Sequence, residues 1–229
     1  MAVEQIVFDE LKRFAPAKIL CLGYPDLLLT ETVTPAAGDD AARIASYHGW
    51  KGPIAETTAT FAAIGLDPVY IDVHASRHVE RIVDLNRPVP EDLHGAFDLV
   101  LDPGTLEHCF NIGQAFENIV TCLKPKGTVI HANPVTMTNH GFWNISPTAY
   151  HDWYQSRGFD RVEVRVYWGP TNQRNVVAVD PVKRYKLPPE AICFVTASRS
   201  HAPAAVEEQW PTQTKYKRNP SLMAAAGGH

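Results

Sequence analysis

The chain has 229 residues, of which 45% are hydrophobic and 20% charged, with a net charge of −4. That balance fits one soluble domain with a sizeable core and excludes a chain too polar to fold. No dense Lys/Arg block offers the phosphate neutralisation that drives non-specific nucleic-acid binding, so a small molecule is the expected partner. No apolar run approaches membrane-spanning length, and Met1-Ala2-Val3-Glu4-Gln5 lacks the basic-then-apolar order of a signal peptide. A cytoplasmic protein without membrane contact is expected. Cys21, Cys109, Cys122 and Cys193 never approach C-x-x-C spacing and read as buried free thiols.

In chain order, residues 6–14 have the pattern of a short amphipathic helix, and Ala17-Lys18-Ile19-Leu20-Cys21-Leu22-Gly23 reads as the first strand, ending in Gly23-Tyr24-Pro25-Asp26. Residues 27–55 form a long connection with several Pro and Gly. So long a plain loop is uncommon in a compact domain, so a lid or a short inserted helix is expected. Residues 56–64 read as a helix stopped by Gly65, and Val69-Tyr70-Ile71-Asp72-Val73 as a strand with a carboxylate near its C-terminal end. A third strand is expected over residues 80–83, ending at Asp84-Leu85-Asn86.

The most informative stretch follows. Phe97-Asp98-Leu99-Val100-Leu101-Asp102-Pro103-Gly104-Thr105-Leu106-Glu107-His108 opens with the continuous apolar run of a parallel strand covered on both faces and ends in acidic, small and imidazole side chains. Asn111 and Gln114 have capping-box spacing, and Ile112, Ala115, Phe116, Ile119, Val120 and Leu123 repeat at helical period. Leu123-Lys124-Pro125-Lys126-Gly127 breaks that helix, with a positive φ expected at Gly127, before the strand Thr128-Val129-Ile130-His131-Ala132. The loop from Asn133 to Ser146 holds His140, Phe142, Trp143 and Asn144. Ser146 is placed to cap, and Pro147 to open, a helix ending at Gly158. Strands are expected at residues 161–168 and 191–198. Residues 172–189 have no clear assignment and are placed to cover a site. Residues 201–229 form a tail that either wanders or wraps a neighbouring subunit in a homo-oligomer.

"FDLVLDPGTLEH", a helix, then "LKPKGTVIHANP" is similar to the middle of the S-adenosylmethionine (SAM)-dependent methyltransferases. That resemblance implies a Rossmann-like α/β fold over residues 1–200: a seven-stranded, mostly parallel sheet with helices on both faces and an antiparallel last hairpin. It implies SAM as cofactor and a small-molecule methyl acceptor such as a sugar or secondary metabolite. In the family the first loop is glycine-rich, which here points to Gly23, Tyr24 and Asp26, although only one glycine is kept. Asp72 resembles the acidic residue on the ribose, whose two hydroxyls a carboxylate can accept from. Gly23 and Asp72 lie 49 positions apart, against about 20 in the compact dinucleotide fingerprint, and the insertion accounts for most of the excess. Asp84, with Leu85 beside it, falls where the family meets adenine. Asp102, Gly104 and Thr105 fall at the cofactor's edge. The resemblance places Glu107, Asn133, Phe142, Trp143 and Asn144 near the acceptor. Any one strand-end Asp also serves as a solvated turn, but Asp72, Asp84 and Asp102 end three successive expected strands, where open α/β sheets bind ligands.

Methyl transfer from a sulfonium is an in-line displacement, so positioning and exclusion of water dominate. For an oxygen acceptor a histidine could take the proton, which makes His140 and His108 the candidate bases; His108 equally suits packing over the cofactor, and Phe142 and Trp143 equally suit plugging the sheet's end. Two other classes remain open. His74 and His78, at helical i, i+4 spacing, suggest a metal-dependent hydrolase, but Ala75 stands where a zincin needs glutamate, so no metal is expected. The missing glycines at Tyr24-Pro25-Asp26 suit a methyltransferase-like binding subunit without catalysis.

Overall fold

The computed structural model describes residues 2–31, 38, 40–202 and 210–218. Its elements are β1 (Ala2–Glu4), α1 (Gln5–Lys12), β2 (Ala17–Leu22), β3 (Asp26–Leu28), α2 (Ala41–His48), β4 (Ile54–Ala55), α3 (Thr57–Ala63), β5 (Leu66–Asp72), β6 (Arg81–Ile82), β7 (Phe97–Asp102), α4 (Ile112–Cys122), β8 (Leu123–Pro134), α5 (Pro147–Ser156), β9 (Arg161–Trp168), β10 (Asn175–Ala178), β11 (Ile192–Ser198) and α6 (Thr214–Lys217). Among the described residues no helix is long and apolar enough to cross a membrane.

Eight strands form the main sheet in the order β10-β9-β11-β8-β7-β2-β5-β6. The run β8-β7-β2-β5-β6 is parallel, and β11, β9 and β10 are antiparallel to their neighbours. The chain starts at β2, winds out to β6, returns to β7 on the other side of β2 and winds out again, so the order reverses between β2 and β7. This is a doubly wound Rossmann-like sheet, and its crevice lies beyond the carboxyl ends of those two strands.

Alternation along each central strand divides the core between the two faces. Ile19, Cys21, Leu99 and Leu101 pack with Val7, Phe8 and Leu11 of α1 and Phe61 of α3. Leu20, Leu22, Val100 and Val129 pack with Ala115, Phe116 and Ile119 of α4 and with Tyr150, Trp153 and Tyr154 of α5. Successive side chains of a strand point to opposite faces, so a strand covered on both sides must be apolar throughout. Glu56 caps α3 by accepting from the N–H groups of Thr58 and Ala59, and Asn111 caps α4 through Gln114 N. All four cysteines are buried and free, and burial pushes their thiols up.

Several sequence expectations are corrected. The 27–55 connection holds a short helix, α2, as expected, but it also supplies two strands, β3 and β4, which form with β1 a separate three-stranded sheet in the order β1-β3-β4; residues 32–37 and 39 of it lie outside the described residues. Residues 172–189 contain the edge strand β10, giving eight main strands rather than seven. Gly127 does not have positive φ. A Cβ there would lie 2.7 Å from Leu123 Cδ2 and 3.0 Å from Lys124 O, so glycine answers a close approach rather than a left-handed turn. Leu123 is already extended, and α4 passes directly into β8. Ser146 stands at the N-cap of α5 but makes no side-chain cap bond. His74 and His78 are not on a helix, and His78 has φ 61°, so their i, i+4 spacing has no common face. Within the expected tail, residues 210–218 dock on α5: Asp152 accepts from Thr214 N at 2.9 Å and from its hydroxyl, and Trp210 lies 6.4 Å from Trp153, centroid to centroid. Residues 203–209 and 219–229 lie outside the described residues.

Candidate functional site

Beyond the carboxyl ends of β5, β6, β7 and β8 lies a cavity of about 770 Å³, within the range of small-molecule and cofactor clefts. The N-terminal strand and the inserted helix close one side, through Ala2 and Glu4 of β1 and Tyr47 and His48 of α2. Asp72, Asp84 and Leu85 line one flank, and Gly104 and Thr105 lie at the β7 turn. Glu107, His108 and His140 line the other flank.

On the first flank the carboxylates are held by their own loops. Asp72 Oδ1 accepts from His74 N at 3.2 Å. Asp84 Oδ1 accepts from the backbone N–H of Asn86 at 2.9 Å and from its amide at 2.8 Å, and these bonds hold the Asp84 carboxyl below its ordinary value. Asp72 keeps its second oxygen for a ligand, while Asp84 Oδ2 forms a long ion pair with Arg87 Nε at 3.8 Å and keeps lone pairs to accept with.

The second flank rests on a buried polar network. Asp102, at the end of β7, is fully buried. Its Oδ1 accepts from Thr105 N at 2.9 Å, which folds the chain into the short 3-10 turn Leu106–His108. Its Oδ2 meets His131 Nδ1 at 2.7 Å and accepts from Asn133 Nδ2 at 2.8 Å. His131 Nε2 lies 2.6 Å from Tyr154 Oη, and Tyr150 Oη donates to Asn133 Oδ1 at 2.9 Å. Asn133 Nδ2 also donates to Glu107 Oε2 at 3.0 Å. The network therefore anchors one oxygen of Glu107 and leaves Oε1, buried and without a hydrogen bond, 3.5 Å from His140 Nε2 and 3.8 Å from His108 Nε2. Burial, and then the nearby Asp102 carboxylate, push Glu107 up to about 7. Burial, and then the neighbouring His140, lower His108.

His140 reaches this place because its loop is clipped to Glu107. Phe142 N donates to Glu107 O at 2.8 Å and Trp143 N to the same oxygen at 3.2 Å. A Cβ on Gly141 would lie 2.7 Å from that oxygen, so only glycine allows the loop to approach this closely. The imidazoles of His108 and His140 then face each other with ring centroids 5.3 Å apart.

Other expected site residues lie elsewhere. Gly23, Tyr24 and Asp26 are not among the residues that line the cavity. Tyr24 donates its hydroxyl to Glu56 at 2.5 Å, and Asp26 is committed to Arg77 at 2.7 Å and His48 at 2.9 Å. Gly23 has φ 86° and donates its N–H to Ile71 O, so its glycine character serves the turn. Asp102 and Asn133 are interior struts rather than contact groups, since both are fully buried in the network. Phe142 and Trp143 stand outside the cavity, 64% and 39% exposed and packed against Phe110. Asn144 accepts from Met137 N and borders a separate cleft near Asp180. His131, Tyr150 and Tyr154 were not anticipated. The available signal was a histidine in the apolar run Val129-Ile130-His131-Ala132, which needs a buried partner.

No family profile matches the chain, and no curated protein does. Among solved structures, it is similar to a SAM-dependent methyltransferase from Archaeoglobus fulgidus, at 10% identity over 85% of this chain and 93% of that one, with a TM-score of 0.49. TehB from Haemophilus influenzae is similar at 10% identity over 86% of this chain and 63% of that one, with a TM-score of 0.49. A possible histamine N-methyltransferase from Thermotoga maritima is similar at 11% identity over 83% and 89%, with a TM-score of 0.40.

Proposed function

We propose that the chain is a SAM-dependent methyltransferase acting on a small molecule. The observation that carries this reading is one cavity, beyond the ends of the strands on either side of the reversal of strand order, with strand-end carboxylates on one flank and a proton-accepting cluster on the other. The donor set suits the cofactor. Asp72 has an oxygen free to accept from a ribose diol, Asp84 Oδ2, loosely paired with Arg87, has lone pairs to accept from an exocyclic amine, and Leu85 offers an apolar wall. Gly104, with φ 98°, leaves the β7 turn without a side chain. SAM bound there supplies an electrophilic methyl carbon. The chain's own work is to hold that carbon and the acceptor in line and to keep water out.

The acceptor meets the second flank. His140 is the proposed proton acceptor, half exposed to the cavity and set against Glu107, whose carboxylate steadies the imidazolium that forms. His108 packs beside it and is the alternative base. The test is calorimetric titration with SAM and S-adenosylhomocysteine, followed by a methyl-transfer screen over hydroxyl- and amine-bearing small molecules. Binding of both cofactor forms is expected, and absence of binding would remove the reading.

A further inference from the structure

Among the described residues, Glu107, His108 and His140 bring three metal-competent donor atoms within 4.8 Å of one another. The Glu107 Oε1 contacts, 3.5 and 3.8 Å to the two imidazole Nε2 atoms, are close to the spacing of about 3.3–3.5 Å that a tetrahedral cation with bonds of about 2.0–2.2 Å requires. Both imidazoles are about half exposed, at 50% and 47%, so their side chains have room to draw the three donor atoms, now within 4.8 Å of one another, in to that spacing. A second observation is independent of that spacing. Glu107 is fully buried, and the oxygen that faces the imidazoles accepts no hydrogen bond. A buried carboxylate oxygen without a partner is costly, and in native proteins such a group calls for an explanation such as an ion.

The surroundings support Glu107 as a ligand. Its other oxygen is fixed by Asn133 Nδ2, itself held by Asp102 and Tyr150, which is how outer partners orient ligating groups. Gly104 leaves space beside Oε1, since a Cβ there would stand 3.2 Å from it.

The geometry points to a mononuclear site for a divalent transition cation of the zinc, cobalt or manganese class, ligated by Glu107 Oε1, His108 Nε2 and His140 Nε2, with its remaining positions open to the cavity. Two imidazoles and one carboxylate favour such ions over Mg²⁺ or Ca²⁺, which prefer oxygen donors. The site reverses the expectation of a metal-free protein drawn from ligand spacing. Its ligands are two adjacent residues on a 3-10 turn and a third on a distant loop, an arrangement no periodic motif announces. Its role rests on the methyl-transfer reading, although the binding does not. An acceptor hydroxyl on an open position would become more acidic: its O–H bond breaks, the proton leaves to solvent, and the electron pair stays on the oxygen. His140 would then act as ligand in place of base.

The test is titration of chelator-treated full-length chain with Co²⁺, read by visible absorption, with Zn²⁺ affinity taken by competition. One saturable equivalent per chain is expected. Loss of an outer partner alone costs about 10–100-fold in affinity, so Glu107→Gln or His140→Ala is expected to weaken Co²⁺ binding by about 100-fold or more. His201→Ala, at an exposed histidine outside the cavity, is expected to leave it unchanged, with circular dichroism verifying the fold of each variant. Absence of a saturable equivalent, or equal affinity in a folded His108→Ala/His140→Ala protein, overturns the site. Titrating the same preparation with SAM separates the two ideas: cofactor binding without metal binding overturns only the cation site, and metal binding without cofactor binding overturns only the methyl-transfer reading.

Discussion

Asp72 and Asp84 on one flank of the cavity and Glu107 on the other are all carboxylates just beyond the carboxyl ends of strands, but their surroundings differ. Asp84 is 44% exposed at its side chain and is steadied by a neighbour two residues away. Glu107 is fully buried and steadied by Asn133, 26 residues away in sequence, through a network that reaches α5. A solvated carboxylate stays ionised and is cheap to build, which suits accepting hydrogen bonds from a polar ligand. A buried one is held high in pKa and costs stability when ionised, a cost expected where chemistry requires it.

The largest effect should come from the imidazole beside Glu107. His140→Ala is expected to lower methyl transfer by roughly 10²–10⁴-fold, the usual contribution of a positioned proton acceptor, with cofactor affinity unchanged. Steady-state rates and calorimetry on the same variant check both halves, and a parallel loss of cofactor binding would erase the distinction between the flanks. Next comes the network. Asp102→Ala leaves His131 and Asn133 buried without their acceptor, and a destabilisation of about 3–5 kcal/mol is expected in urea unfolding. An effect below about 1 kcal/mol would show that the network does not bear on the fold.

Glu107→Gln gives a pH signature. The folded-state pKa of Glu107 is raised from 4.5 to about 7, so its contribution to stability is full below the unfolded value and is lost as pH rises through about 7. The wild type should therefore lose on the order of 2–3 kcal/mol across that window relative to the glutamine variant. Parallel stability curves from pH 4 to pH 8 would contradict the buried carboxyl. Asp72→Ala is the smallest change expected, weakening cofactor binding by about 1–3 kcal/mol, the scale of charge-assisted hydrogen bonds. Unchanged affinity would remove Asp72 from the site.

The central strands were legible because a strand covered on both faces has to be apolar throughout, as in Leu99-Val100-Leu101, and α4 was legible from Asn111 and its apolar repeat. The short strands were not. β1, β3, β4 and β10 have two to four residues each, too few to display a period of two, so the three-stranded sheet and the eighth main strand read as loop, whereas β6 falls inside the strand expected over residues 80–83. Within the site, Glu107 and His108 stood out because they follow a buried strand directly. His131, Tyr150 and Tyr154 did not, because a histidine or tyrosine amid apolar residues reads as core until its partner is known, and these partners lie 17–29 residues away. Gly127 reads as a left-handed turn, but the fold uses it for proximity to Leu123, and Gly141, pressed against the Glu107 carbonyl, has no sequence signal that marks it.

Calorimetric titration of the wild-type chain with SAM, with S-adenosylhomocysteine as competitor, tests the central claim most directly. The cavity flanked by Asp72 and Asp84 predicts saturable binding at one site per chain, with each ligand displacing the other. No saturable heat from either ligand, in protein shown to be folded, would contradict it.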